Sequence, residues 1–199
     1  ARDFLNYVLA GRLPSPGRIN LTPMLTSKGK LYGDLTVACM EDEYFILFGS
    51  GLMQEAHRRW FEKRLPENGV SYANRSDDYH GVAISGPKSR ELLKRITRDD
   101  VSKGSFRFRD IRQTYVGDVP AIIIRMSFSG ELGYEIYCKP HYLIKLAENI
   151  EEAGEDLGFC WYGARALLSM RLEKQWGVWT LDFRPDFTAA ESGLDAFIN

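Results

Sequence analysis

At 199 residues, 44% hydrophobic and 27% charged, the chain has enough apolar sequence for a sizeable core, which excludes a disordered or low-complexity protein. A net charge of −1 gives no global attraction to nucleic acid or to an anionic membrane, and no apolar run is long enough to span a bilayer. The three cysteines (Cys39, Cys138, Cys160) and three histidines (His57, His80, His141) are scattered, so no metal-ligand spacing arises and the thiols read as structural ones in a reducing compartment.

The chain opens on helix-type sequence, Ala1 to Leu9, and stops near Ala10-Gly11, where Pro14, Pro16 and Gly17 bring turns. Strands are predicted over residues 19–26, 31–40 and 44–48, with turns at Lys28-Gly29-Lys30 and Glu41-Asp42-Glu43. Gly49-Ser50-Gly51 then leads into a helix whose apolar positions, Leu52, Met53, Ala56, Trp60, Phe61 and Leu65, follow the helical period. Ser50 is its predicted cap and Pro66 its end. The stretch 73–80, rich in Asn, Ser and Asp, is the expected join between a first unit, 1–80, and a second, 81–199.

The second unit opens with a strand at 82–85, then Gly86-Pro87 and a helix at 88–96. A hairpin is predicted from 110–116 and 121–128, a strand at 134–138, and helices at 142–153 and 163–174. This order argues for an α+β fold with helices packed on mostly antiparallel sheets. The apolar final residues and the helix-like opening read as a piece of something longer.

Two carboxylates stand where strands disfavour them. In Leu31-Tyr32-Gly33-Asp34-Leu35-Thr36-Val37, alternation puts Leu31, Leu35 and Val37 on one face and Tyr32, Asp34 and Thr36 on the other. In Tyr134-Glu135-Ile136-Tyr137-Cys138, Glu135 and Tyr137 share a face. A carboxylate with aromatic neighbours such as Phe128 and Tyr137 suits a flat heterocycle that presents adjacent N–H donors. The structural alternative is a cross-strand ion pair of Glu135 with Arg125. His57 reads as a solvated or capping residue, and the bases at Arg58-Arg59 and Lys63-Arg64 as a solvated helix face. Gly49-Ser50-Gly51 lacks the further glycine of a dinucleotide fingerprint and the lysine of a P-loop, and reads as a tight turn. Trp176-Gly177-Val178-Trp179 reads either as a loop over a pocket or as core.

Leu21-Thr22-Pro23-Met24-Leu25-Thr26, the stretch from Lys28 to Val37, and Arg125 through Tyr137 resemble the folate-binding aminomethyltransferase fold. That fold is shared by the T-protein of the glycine cleavage system and by the C-terminal halves of dimethylglycine and sarcosine dehydrogenases. Gly49-Ser50-Gly51 with His57 and Arg59-Trp60, Arg171-Leu172-Glu173-Lys174, and the stretch from Asp186 to Leu194 look most like the dimethylglycine dehydrogenase branch. The resemblance implies that Asp34 is the essential acid held near the reactive nitrogens of tetrahydrofolate. It implies that Glu135 grips the pterin edge, that Phe128 packs against the folate, and that Thr36, Gly49 and Tyr32 lie beside the pocket wall. The implied chemistry is capture of a one-carbon unit from an iminium, made from an N-methyl amine by a separate FAD domain of the parent chain, to give methylene-tetrahydrofolate. The implied compartment is a bacterial cytoplasm, or the mitochondrial matrix in a eukaryote.

Two positions depart from the T-protein pattern: Leu21 replaces a common tyrosine, and Leu167 replaces an arginine, with Arg165 two residues too early to substitute. A T-protein-like aminomethyltransferase therefore remains an alternative, as does a non-catalytic folate-binding or assembly module. The Lys-Gly-Cys-Tyr motif of the latter is missing here.

Overall fold

The computed structural model describes residues 1–199 and divides into two compact units. Residues 1–74 and 177–199 form the first, and residues 75–176 the second. The join falls within the polar stretch expected to carry it. The last residues, however, group with the first unit, not with 81–199 as the sequence suggested. The reason is a set of backbone contacts between segments far apart in sequence. Leu31 N–H donates to Phe187 O, Asn199 N–H donates to Ala10 O, and Lys30 bridges antiparallel to Thr188.

In the first unit, helix α1 (Arg2–Val8) precedes an antiparallel sheet of β1 (Arg18–Leu25), β2 (Leu31–Glu41) and β3 (Tyr44–Phe48), in that spatial order. Pro23 is tolerated because β1 is an edge strand. Helix α2 (Gln54–Glu62) is entered through one 3-10 turn at Gly51–Met53, and Ser50 makes no side-chain capping bond, contrary to expectation. The core joins Leu5, Val8 and Leu9 with Met24, Leu35, Val37 and Phe61. Trp179 is buried too, and Gly177 lets the ring of Phe183 pack where a Cβ would stand 2.3 Å away. The tryptophan–glycine stretch is therefore used in packing.

In the second unit, β4 (His80–Ser85), β5 (Ile111–Val116), β6 (Val119–Ile124) and β7 (Gly133–Cys138) form an antiparallel sheet in the order β4-β7-β6-β5. The hairpin between β5 and β6 is tighter than expected. Its turn is Gly117-Asp118, with Gly117 at φ 63°, and Pro120 is inside β6, where it pairs with Tyr115. Proline fits there because β7 joins β6 only from Ala121 onward. Residues 125–128, expected to extend the strand, leave the sheet instead.

Helices α3 (Ser89–Ile96) and α4 (Leu143–Gly154) belong to the core cluster on one side of this sheet, with Leu92, Leu93, Leu146 and Ile150 beside Ile123, Tyr134, Ile136 and Cys138. Helix α5 (Ala164–Glu173) buries only Arg171. Of the cysteines, Cys39 and Cys138 are buried and Cys160 is exposed, so the structural-thiol expectation fails for the third. No helix is long and apolar enough to cross a membrane.

Candidate functional site

In the first unit the site is built around the part of β2 that outruns its neighbour. β3 pairs with β2 only as far as Thr36 opposite Phe48, so Asp34, opposite Pro23 on β1, lies beyond the end of β3. Asp34 is half-buried, and burial pushes its pKa up from 3.8 to about 6, offset in part by a hydrogen bond from its own backbone N–H. No cation faces it. Thr36 is half-buried in the same stretch, and Gly49 is the exposed residue that follows β3. A Cβ on Gly49 would stand 2.6 Å from Leu35 Cδ2, so glycine is needed for the close approach of that turn to β2.

Next to Asp34 the alternation in burial holds, with Leu31, Gly33 and Leu35 buried and Tyr32, Asp34 and Thr36 half-buried, but the strand pairing is irregular. The β1–β2 register pairs Met24 with Gly33 but Leu25 with Leu31, leaving Tyr32 as an extra residue in a bulge. Tyr32 is thereby taken up by α2: its ring stacks on Trp60 at 4.5 Å, and Arg64 covers the other ring system at 3.5 Å from the Trp60 centroid. Tyr32 is half-buried on the same face as Asp34 and Thr36, and its ring also packs on α2. Arg64 leaves the solvated basic face, whereas Arg58 remains on it, paired to Glu55 and Glu62.

The histidine of α2 is the residue that sequence reasoning misjudged. His57 is 5% exposed, with Nε2 3.2 Å from Tyr32 O. A carbonyl only accepts, so Nε2 carries the proton of a neutral imidazole, and burial lowers the pKa from its ordinary value. Gly33 makes this possible: a Cβ there would be 2.5 Å from Nε2. The available signal was Gly33 itself, a glycine one residue before the acid.

In the second unit, β7 is flanked by β4 and β6, with Glu135 paired to Ala83 and Ile124. Tyr134, Ile136 and Cys138 point into the core, each 0% exposed, and Glu135 and Tyr137 occupy the other face as the alternation required. The hydroxyl of Tyr137 donates to Glu135 Oε2 at 2.8 Å. Burial raises the Glu135 pKa, opposed first by that hydrogen bond and then by the charge of Lys174, just past the end of α5. Lys174 Nζ is anchored on Ser127 O. The alternative pairing is not formed: Arg125 donates to Gly133 O and lies over the ring of Tyr134.

A cavity of about 360 Å³ opens here, lined among others by Ser127, Phe128, Glu135, Tyr137, Tyr162 and Leu167. Phe128, off the sheet and half-buried, thus shares a cavity with Glu135. Leu167 contributes an apolar wall to it. The cavity has the size of a small-ligand site, with apolar walls and one carboxylate acceptor, and a flat heterocycle with an N–H edge fits that donor–acceptor arrangement. The available sequence signal for Tyr137 was its two-residue spacing from Glu135. Ser127 comes from the segment after β6, which leaves the sheet where a strand was expected, and Lys174 from the end of the predicted 163–174 helix, whose approach to Glu135 the sequence did not reveal.

Comparison with known proteins gives one consistent answer. The chain is 33% identical over 198 residues to human mitochondrial dimethylglycine dehydrogenase, covering 98% of this chain and 23% of that protein. It is 32% identical over 183 residues to an aminomethyltransferase of Natranaerobius thermophilus, covering 92% of this chain and 50% of the other. The chain therefore spans under a quarter of the first relative and half of the second. The crystal structure of the glycine cleavage system aminomethyltransferase T from Bartonella henselae superposes with a TM-score of 0.84 at 22% identity, over 99% of this chain and 52% of that one, so the fold is shared. The model of the GCVT N-terminal domain matches residues 1–199, and the chain belongs to that family.

Proposed function

We propose that the chain is a tetrahydrofolate-binding, one-carbon transfer domain that accepts a methylene unit from an iminium made by oxidation of an N-methyl amine. The substrate class rests on the likeness to dimethylglycine dehydrogenase, and the partner it implies is a flavin oxidoreductase domain of the same parent chain. Tetrahydrofolate would supply two nucleophilic nitrogens, and each new carbon–nitrogen bond releases the proton of its nitrogen. The bond from the carbon to the original amine breaks, and the departing demethylated amine takes one of the two protons, so that one is released net.

The observation that carries the reading is Asp34. A carboxylate with a pKa of about 6 and no cation beside it is largely ionised at neutral pH, yet basic enough to take a proton from a nitrogen that becomes positive as it reacts. The same charge stabilises that positive nitrogen before the proton leaves. Glu135 serves a different purpose in this reading. Held by Tyr137, with the charge of Lys174 at longer range, it accepts hydrogen bonds from the N–H edge of the pterin, while Phe128 packs against the ring. Thr36 and Gly49 border the proton-handling region and carry no charge into it.

The test is Asp34→Asn in the full-length protein, with tetrahydrofolate affinity and methylene transfer measured side by side. Affinity is expected to persist while transfer falls by roughly 10²–10⁴-fold, the usual scale for a positioned proton acceptor. Transfer at the wild-type rate would remove Asp34 from the chemistry. Failure of the wild-type protein to bind tetrahydrofolate would remove the folate reading itself.

A further inference from the structure

Tyr137 is not a bystander of Glu135. The two side chains project from the same face of β7, and the phenol donates to Glu135 Oε2 at 2.8 Å. Its ring has room because the residue across the ladder, Gly81, has no side chain: a Cβ there would be 2.8 Å from Tyr137 Cε1 and 2.9 Å from Cδ1. The other cross-strand neighbours of the carboxylate, Ala83 on β4 and Ile124 on β6, bring no polar group. The remaining charged group that bears on it is Lys174, at the end of α5.

We propose that Tyr137 is a positioning residue that holds Glu135 in one orientation as an ionised acceptor facing the cavity, and that Gly81 is the glycine that seats its ring. The physical argument is geometric. Glutamate has three side-chain torsions, and a ligand that must find it in one rotamer gains when a neighbour has already selected that rotamer. The phenol binds one lone pair of Oε2 and leaves both lone pairs of Oε1 and one of Oε2 for a ligand's N–H groups. It also favours the charged form, which burial opposes. This role deepens the folate reading above and rests on it for the identity of the ligand, but not for the state of Glu135.

Two measurements separate the two claims. In the unliganded full-length protein, the Glu135 carboxylate is titrated by carbon-13 NMR. Tyr137→Phe removes only the donor, so the titration is expected to move to higher pH with the fold retained. An unshifted titration overturns the positioning role whatever the ligand proves to be. Tetrahydrofolate binding is then measured against pH. Tyr137→Phe is expected to weaken it roughly tenfold, the scale of a hydrogen bond to a charged group, and to raise the pH below which binding fails. Gly81→Ala, which displaces the ring but keeps the hydroxyl, is expected to shift both readings in the same direction, and adding it to Tyr137→Phe should have little further effect. If wild-type binding responds to Glu135→Gln but not to Tyr137→Phe, the positioning role falls and the folate reading stands. If wild type shows no binding while the titration still shifts, the folate reading falls and the positioning role stands.

Discussion

Asp34 and Glu135 meet the same difficulty in the two units and meet it differently. Each is a half-buried carboxylate on a strand, and burial raises the pKa of each. Glu135 is answered by a phenol and, at longer range, by an ammonium group. Asp34 is answered only by its own backbone N–H. A carboxylate with donors around it keeps its charge and its direction, which suits holding a ligand. One without donors keeps a high proton affinity, which suits taking a proton. Neighbouring glycines repeat the contrast: Gly81 makes room for a ring that touches Glu135, and Gly33 for a ring, His57, that holds the strand beside Asp34.

The largest effect expected from this contrast is the loss of methylene transfer, and not of affinity, in Asp34→Asn. Equal losses of both would mean that the two carboxylates do the same work. Second is Gly33→Ala. The added methyl would meet His57 Nε2 at 2.5 Å and Met24 Sδ at 3.0 Å, and overpacking of this kind costs about 1–3 kcal/mol. A lowered denaturation midpoint in urea is expected, and an unchanged one would show that His57 does not brace this strand.

Third, the missing partners of Asp34 make it a stability liability with a definite pH signature. Between 3.8 and about 6 the folded chain binds the proton that the unfolded chain has released, so the cost of the charge is absent below that window and complete above it. Asp34→Asn is expected to stabilise the protein by on the order of 1–3 kcal/mol above pH 7 and by nothing below about pH 4. Urea titrations at the two pH values check this, and a gain independent of pH would contradict it. His57 works in the opposite sense: its lowered pKa means that stability falls as pH drops below 6.5, so the Asp34 effect is best read as a difference between variant and wild type. The smallest effect is that of Lys174→Met. Its side chain is exposed, so the expected loss of ligand affinity is only about two- to fivefold, well under that of Tyr137→Phe. A larger loss than Tyr137→Phe would make the lysine, not the phenol, the main support of Glu135.

Much of the fold was legible because it is written in short-range signals. The alternation of Tyr134 through Cys138 correctly separated a core face from a face bearing Glu135 and Tyr137, since β7 is regularly paired on both sides. At Tyr32 the alternation in burial also holds, but the bulge that adds one residue there and the stacking of its ring on Trp60 of α2 are not written in a period of two. His57 was misread for a related reason. Its burial depends on Gly33 and on Tyr32 O, which are distant in sequence and invisible to a helical period. The unit boundary near residue 74 followed from local composition, whereas the return of residues 177–199 to the first unit follows from backbone bonds such as Leu31 N–H to Phe187 O.

The order of residues by itself determined which segments become strands and helices, that the sheets are antiparallel, and that two acids sit at positions a strand disfavours. Those properties depend on periods of two and 3.6 residues and on turn-forming residues, all read within a dozen positions. The tertiary structure alone decided which acid has partners and which ring is packed. Hydrogen bonding and desolvation depend on what lies within a few ångströms in space, and for Asp34 and Glu135 those neighbours are set by a strand end, a glycine across the ladder and the last turn of a helix.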